Sequence, residues 1–301
     1  MQATARLSVP SSSGSVPRFE LISTAMQVIA CIAGLASSVA ASPGISPERV
    51  VSINLCTDQM ALMLAAPGQL ISVSRLAHDP DSSAMVDAAL DLPTNGSGAE
   101  EVFLLNPDLV LAGTFTAPAT INLLRDLGIR VELFAPARSL SDVPERLDQM
   151  GSALGRTAEA DALKKRFLEE LSSLTAHKDE KRPRAAITYV NSYSSGDASL
   201  AGDILATAGF ENVAAEVGLS SVGRLALEDL VMLAPDVIIQ GRDYPGTARA
   251  EDNLNHAALR ALPDTRMAGE ITDRDWICGT PQVLRAVKAM RALQLDMTVQ
   301  K

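Results

Sequence analysis

From Arg49 onward, short apolar runs alternate with longer stretches in which apolar residues recur every three or four positions. The runs are Val50-Val51-Ser52-Ile53, Leu70-Ile71-Ser72-Val73, Leu109-Val110-Leu111 and Arg130-Val131-Glu132-Leu133. A second series follows Pro183: Ala185–Val190, Val237-Ile238-Ile239 and a weaker Glu270-Ile271-Thr272. Strands of this kind, separated by helical segments, predict parallel sheets covered by crossover helices. Between the series, Ala160, Leu163, Phe167, Leu171 and Leu174 keep helical spacing with charges filling the gaps, which predicts one long amphipathic helix over Thr157–His177. The charged cluster Lys178–Arg184, containing Pro183, closes it. The pattern therefore predicts an α/β protein of two Rossmann-like lobes with parallel sheets joined by one long α-helix. Its parts are an N-terminal lobe over 48–155, the bridging helix over 156–180 and a C-terminal lobe over 184–301.

Length agrees, because 301 residues exceed what one hydrophobic core usually holds. Aromatics make up only 3%, so Ala, Leu and Val must carry the core, which suits helices on parallel strands. The net charge of −10, with no Lys/Arg-rich run, argues against a nucleic-acid partner, since phosphate contacts need a basic face. Residues 1–41 read as a signal peptide: Arg6 and Arg18 precede the apolar, small-residue stretch Leu21–Ala41, which ends in Ser38-Val39-Ala40-Ala41. Export to a periplasm follows. Val28-Ile29-Ala30-Cys31 has the form of a lipobox, but apolar residues continue well past Cys31, which favours cleavage near Ala41 over a lipid on Cys31.

The most informative pattern is an internal repeat. Residues 100–113, EEVFLLNPDLVLAG, match residues 228–241, EDLVMLAPDVIIQG, with five of fourteen positions identical and most others conservative. Each copy predicts a short helix, a Pro-Asp turn and a buried strand stopping at Gly, one copy per lobe. The repeat, the opening strand Arg49–Ser52, Leu127-Gly128-Ile129-Arg130-Val131, the bridging helix and Asp275-Trp276 followed by Pro281 resemble, in order and spacing, the cobalamin and ferric-siderophore periplasmic binding proteins. The likeness spans roughly residues 48–298. It implies a receptor, not an enzyme, that delivers a small-molecule metal complex to the dimeric permease of an ABC importer. In that family the glutamate seven residues before Pro-Asp in each lobe is exposed and pairs with permease arginines; the matching residues are Glu100 and Glu228. A carboxylate in a first helical turn is also favoured by the helix dipole alone, and recurrence at the same repeat position is what points to docking. A monomer is expected, because the cleft and both rims must stay free. No cofactor of its own is implied.

Ligands of two-lobed α/β receptors lie at strand carboxyl ends, so the loops after the strands supply the candidates: Cys56, Asp58, Arg75, His78 and Phe115 in the N-terminal lobe, Tyr193, Arg242, Tyr244, Trp276 and Cys278 in the C-terminal lobe. Trp276 aligns with a ligand-contacting tryptophan of the family, and Tyr193 falls where cobalamin binders carry a phenylalanine; each would serve equally as a cap on its lobe's core. Arg75 and Arg242 suit an anionic ligand. Asn95-Gly96-Ser97-Gly98 has no aromatic where cobalamin binders place one. That departure, few aromatics and two cleft arginines rank an iron chelate ahead of cobalamin. Cys56 and Cys278 have three open fates: buried thiols, a disulfide of the kind an oxidising periplasm favours, or, with His78, soft metal ligands. A disulfide between opposite lobes would clamp the cleft.

Two other classes remain. A two-lobed exported enzyme of glycosyltransferase-like architecture is disfavoured by the lack of G-x-G-x-x-G after a strand, a Walker loop, G-x-S-x-G and H-E-x-x-H. A receptor for a bare transition metal needs several converging histidines, and only His78 and His256 fall within the lobes.

Overall fold

The computed structural model describes residues 46–241, 253–271 and 273–299. The signal segment, Cys31, Arg242 and Tyr244 lie outside them. The first half runs β1 (Val50–Ser52), α1 (Leu55–Leu64), β2 (Leu70–Ser74), α2 (Val86–Ala89), β3 (Thr94–Asn95), α3 (Ala99–Leu104), β4 (Leu109–Gly113), α4 (Pro118–Asp126), β5 (Arg130–Phe134) and α5 (Asp142–Leu154). After α6 (Thr157–Leu174) come β6 (Arg184–Thr188), β7 (Tyr193–Ser195), α7 (Leu200–Ala208), β8 (Glu211–Asn212), β9 (Val222–Arg224), α8 (Leu227–Leu233), β10 (Val237–Gly241), α9 (Ala257–Arg260), β11 (Arg266–Ile271), α10 (Asp273–Trp276) and α11 (Leu284–Val299).

The strands form two parallel sheets, ordered β3-β2-β1-β4-β5 and β11-β10-β6-β8, and β7 pairs antiparallel with β9. Laid beside each other, β6, β10, β11 and β8 occupy the places of β1, β4, β5 and β2. The apolar runs of the central strands are buried on both faces: every residue of β1 and β4 is buried, as are Val237, Ile238 and Ile239 of β10. The strand expected over Ala185–Val190 stops at Thr188, and the one expected over 270–272 begins at Arg266.

The Pro-Asp repeat has a physical reason. Asp108 accepts from the backbone N–H groups of Glu48 (2.7 Å) and Arg49 (3.1 Å) at the start of β1, and Asp236 accepts from Arg184 N (2.8 Å) at the start of β6. In return the Arg49 guanidinium donates to the carbonyls of Leu105 (2.6 Å) and Asn106 (2.9 Å), while Arg184 donates to those of Leu233 (2.7 Å) and Ala234 (3.3 Å). Each lobe therefore satisfies the loose carbonyls at the end of one helix and the first donors of the neighbouring strand with the same Arg/Asp pair. The residue before Pro-Asp is left-handed in both copies, Asn106 at φ 48° and Ala234 at φ 42°. Asn adopts this conformation at less cost than Ala. Ala234→Gly is expected to stabilise the chain by about 1 kcal/mol, seen as a higher denaturant midpoint at unchanged slope.

Helix α6 ends at Leu174 rather than His177, and Ala176 N instead donates to Thr207 O (2.9 Å). It packs on α5 and α11. One continuous cluster of buried residues runs from Val50, Met60 and Leu147 through Phe167 to Ile187, Ile204 and Val287, so the cores of the two sheets are joined rather than separate. The charged segment after α6 is tied down by Glu180, which accepts from both terminal nitrogens of Arg291 on α11 and from His177 N; these bonds hold its carboxyl at about 2.

Candidate functional site

The carboxyl ends of both sheets face a cleft formed by three adjoining depressions that share Ile277. On the N-terminal side two of them are lined by Asn54 and Cys56 after β1, Arg75 after β2, Gly96 and Ser97 after β3, Gly113–Phe115 after β4 and Ala135–Ala137 after β5. The third, of about 380 Å³, is lined by Tyr189, Ser195, Ser199, Val222 and Trp276, with Ala137 and Arg138 reaching across from the other side.

Local hydrogen bonds set this floor. Asn54 caps α1, its Oδ1 accepting from Cys56 N (3.0 Å) and Thr57 N (3.4 Å). The same side chain lies against Gly113, where an added Cβ would stand 3.0 Å from Asn54 Nδ2 and press the capping amide aside. Buried Asn95 donates to Ser52 O (3.0 Å), Val73 O (2.9 Å) and Ser72 Oγ (2.9 Å), fastening together the ends of the first three strands.

Cys56 and Cys278 are joined in a disulfide, with Cα atoms 5.2 Å apart. Of the three fates open from sequence, the free thiols and the metal ligands are thereby excluded. Neither sulfur is free to hold a ligand. Nor does the bond bar the cleft mouth. Cys278 lies in a segment already packed on the N-terminal lobe: Thr280 Oγ1 donates to Gln59 Oε1 (3.3 Å), and an added Cβ on Gly279 would meet Ala137 Cβ at 2.1 Å. The bond sits at the floor, beside Ile277.

Two other candidates are corrected by burial and bonding. Asp58 is wholly buried beneath α1, accepting from the Ser74 N–H (3.2 Å) and hydroxyl, so it faces away from the cleft. Burial pushes its carboxyl up to about 6, against the opposing effect of hydrogen bonds from Ser52 and Ser74. His78 is turned aside, its Nε2 bonded to Ala89 O (2.8 Å). Arg75 and Phe115 line the N-terminal depressions, Phe115 being 85% exposed. Trp276 lines the C-terminal one while only 8% exposed and part of the core. Tyr193 pairs with Arg224 where β7 and β9 run antiparallel; the tyrosine that lines the depression is Tyr189. Glu100 and Glu228 are exposed in the first turns of α3 and α8.

Sequence reasoning missed Ala135–Arg138, Tyr189, Ile277 and Arg146. The loop after β5 ends a strand like the others, and that rule alone would have found Arg138. Arg146 lines the depression under Phe115, with Nη1 on Glu145 Oε1 (3.0 Å) and a buried Nε that has no partner among the described residues.

A model of the periplasmic binding protein family matches residues 50–257. A cobalamin-binding protein of Halobacterium salinarum is 30% identical over 211 residues, covering 68% of this chain and 57% of that protein. The chain thus spans little more than half of that relative's length. A vitamin B12-binding protein of Yersinia pestis is 22% identical over 255 residues, 82% of this chain and 86% of that one. Among solved structures, a periplasmic heme-binding protein from Roseiflexus sp. RS-1 in apo form superposes with a TM-score of 0.70 at 20% identity, over 83% of this chain and 98% of that one. That likeness carries the two-lobed α/β fold.

Proposed function

We propose, since this chain belongs to the periplasmic binding protein family, that it is an exported receptor that captures a corrinoid and hands it to the dimeric permease of an ABC importer. The observation that carries the reading is the cleft: the strand ends of both lobes converge on one mostly apolar trough walled by Phe115, Phe134, Pro136, Trp276 and Ile277. A flat macrocycle with an apolar rim buries area well against such walls. The corrinoid moves ahead of the iron chelate on the strength of the two cobalamin-binding relatives. Amide oxygens on its periphery suit the unpartnered Nε of Arg146 and the serines of the C-terminal wall. No bond is made or broken, so the chain acts as a receptor and not as an enzyme. Glu100 and Glu228 offer one carboxylate per lobe to a cationic partner, the receptor working as a monomer in the periplasm after removal of residues 1–41.

A second reading, an anionic iron chelate or heme, is favoured by Arg75, Arg138 and Arg146 all lining the trough. One experiment separates them. Residues 42–301 are titrated with cyanocobalamin, haemin and ferric siderophores while the single tryptophan, Trp276, reports quenching with inner-filter controls. Saturable quenching by cyanocobalamin at low micromolar concentration or below is expected, with Trp276→Phe weakening binding about tenfold by calorimetry. Saturation by haemin or a ferric siderophore alone would transfer the proposal to that ligand, and binding of none would end it.

A further inference from the structure

Leu104 and Met232 are, respectively, 81% and 84% exposed. They are the same position of the repeat, four residues after Glu100 and Glu228 on α3 and α8. Residues four apart on a helix share one face, so each lobe shows the same pair, a carboxylate and a bare apolar side chain. A single exposed Leu or Met needs no explanation. Two at the same place in two halves that otherwise differ at most positions do.

Topology sets the two glutamates at one end of the molecule, with Leu104 and Met232 one turn further along each helix. Helix α3 leads through Pro107-Asp108 into β4, and α8 through Pro235-Asp236 into β10, so each runs back against its sheet and starts at the level of the strand carboxyl ends, beside the cleft. Of the acidic residues in these first turns, Glu101 is occupied, accepting from Gly96 N (2.7 Å). Glu100, Glu228 and Asp229 make no hydrogen bond or ion pair among the described residues.

We propose that Leu104 and Met232 are apolar knobs of the docking surface, and that the partner is a two-fold symmetric membrane permease bearing two equivalent recesses, each with an apolar bottom and a basic rim. This deepens the receptor reading and rests on it. Charge selects that occupant over a second copy of this chain, because two molecules of net charge −10 would bring acidic helices together. The division of labour is physical: the glutamates steer approach and set orientation, and the knobs, once desolvated, slow departure.

The test measures docking of ligand-loaded receptor to the purified permease–ATPase complex that imports that ligand in the same organism, held in lipid nanodiscs, at several salt concentrations. Leu104→Ser and Met232→Ser are each expected to weaken docking about tenfold, mainly through faster dissociation, with the salt dependence unchanged. E100A/E228A is expected to flatten the salt dependence. Soluble ligand affinity and thermal midpoint, measured on every variant, should stay at the wild-type values. If L104S/M232S docks like wild type while E100A/E228A does not, the knobs are wrong and the receptor reading stands. An effect of Leu104 without Met232 overturns the two equivalent recesses. Sedimentation showing that wild type self-associates and L104S/M232S does not would assign the knobs to a second copy instead. Wild type that neither docks nor binds any ligand overturns the receptor reading itself.

Discussion

Reducing the Cys56–Cys278 disulfide lowers the thermal midpoint by on the order of 10 °C. The two cysteines are 222 residues apart, so the bond closes most of the described chain into one loop. In the chain-entropy account a loop of that length removes about 5 kcal/mol of disorder from the unfolded state, more than almost any single side-chain contact supplies. The native geometry is already prepared for it, since Thr280 and Gly279 hold the Cys278 segment on α1 and the β5–α5 loop without help from the sulfurs. Thermal unfolding with and without reductant, repeated on Cys56→Ser/Cys278→Ser, measures the effect; a fall of less than about 2 °C would show that these packing contacts alone hold the floor. Ligand dissociation should also quicken, because Ile277, shared by all three depressions, loses its anchor. A bond of this kind survives in oxidising compartments, such as the one in which the proposed receptor would work.

The second large effect is a pH dependence written into the N-terminal lobe. With its carboxyl at about 6 in the folded chain against 3.8 in the open, Asp58 binds a proton more tightly when folded. Stability is therefore greatest from this group below about pH 4 and is lost as pH rises through 6, by about 3 kcal/mol. Asp58→Asn keeps an acceptor for Ser74 N and a donor for the Ser74 hydroxyl without the buried charge. It should match wild type near pH 4, exceed it by about 3 kcal/mol at pH 7.5, and abolish the slope between. Denaturant titrations at both pH values decide it. A wild-type advantage for the ionised form at pH 7.5 would mean that the serine hydrogen bonds outweigh desolvation.

What could be read from sequence divides by length scale. The central strands are apolar on both faces because helices cover both, and a run such as Leu109–Leu111 has few other homes. Helix α6 shows its spacing over five turns. Edge strands β3 and β8 are two residues long, Thr94–Asn95 and Glu211–Asn212, and no periodicity exists over two residues. The antiparallel β7–β9 pair was hidden because its strands are three residues each and are separated in sequence by α7 and β8. Within the site, strand ends identified Cys56, Arg75, Phe115 and Trp276 as cleft residues. Asp58 misled because the loop expected after β1 is instead the first turn of α1, a helix buried on nearly every side. The disulfide could be named but not chosen among the three fates, for the same reason that it stabilises: its partners meet only after the whole chain has folded.

If the chain is the receptor proposed above, its joined core has a consequence for traffic at the membrane. A protein whose two sheets share one packed interior, with a covalent bond at the cleft floor, has little change of shape with which to announce that it is full. The spacing between the acidic helices is then nearly the same loaded or empty, and empty molecules queue at the same gate as loaded ones. Throughput in the cell would then be set by the ratio of the two, and an importer would have to tell them apart by what lies in the trough.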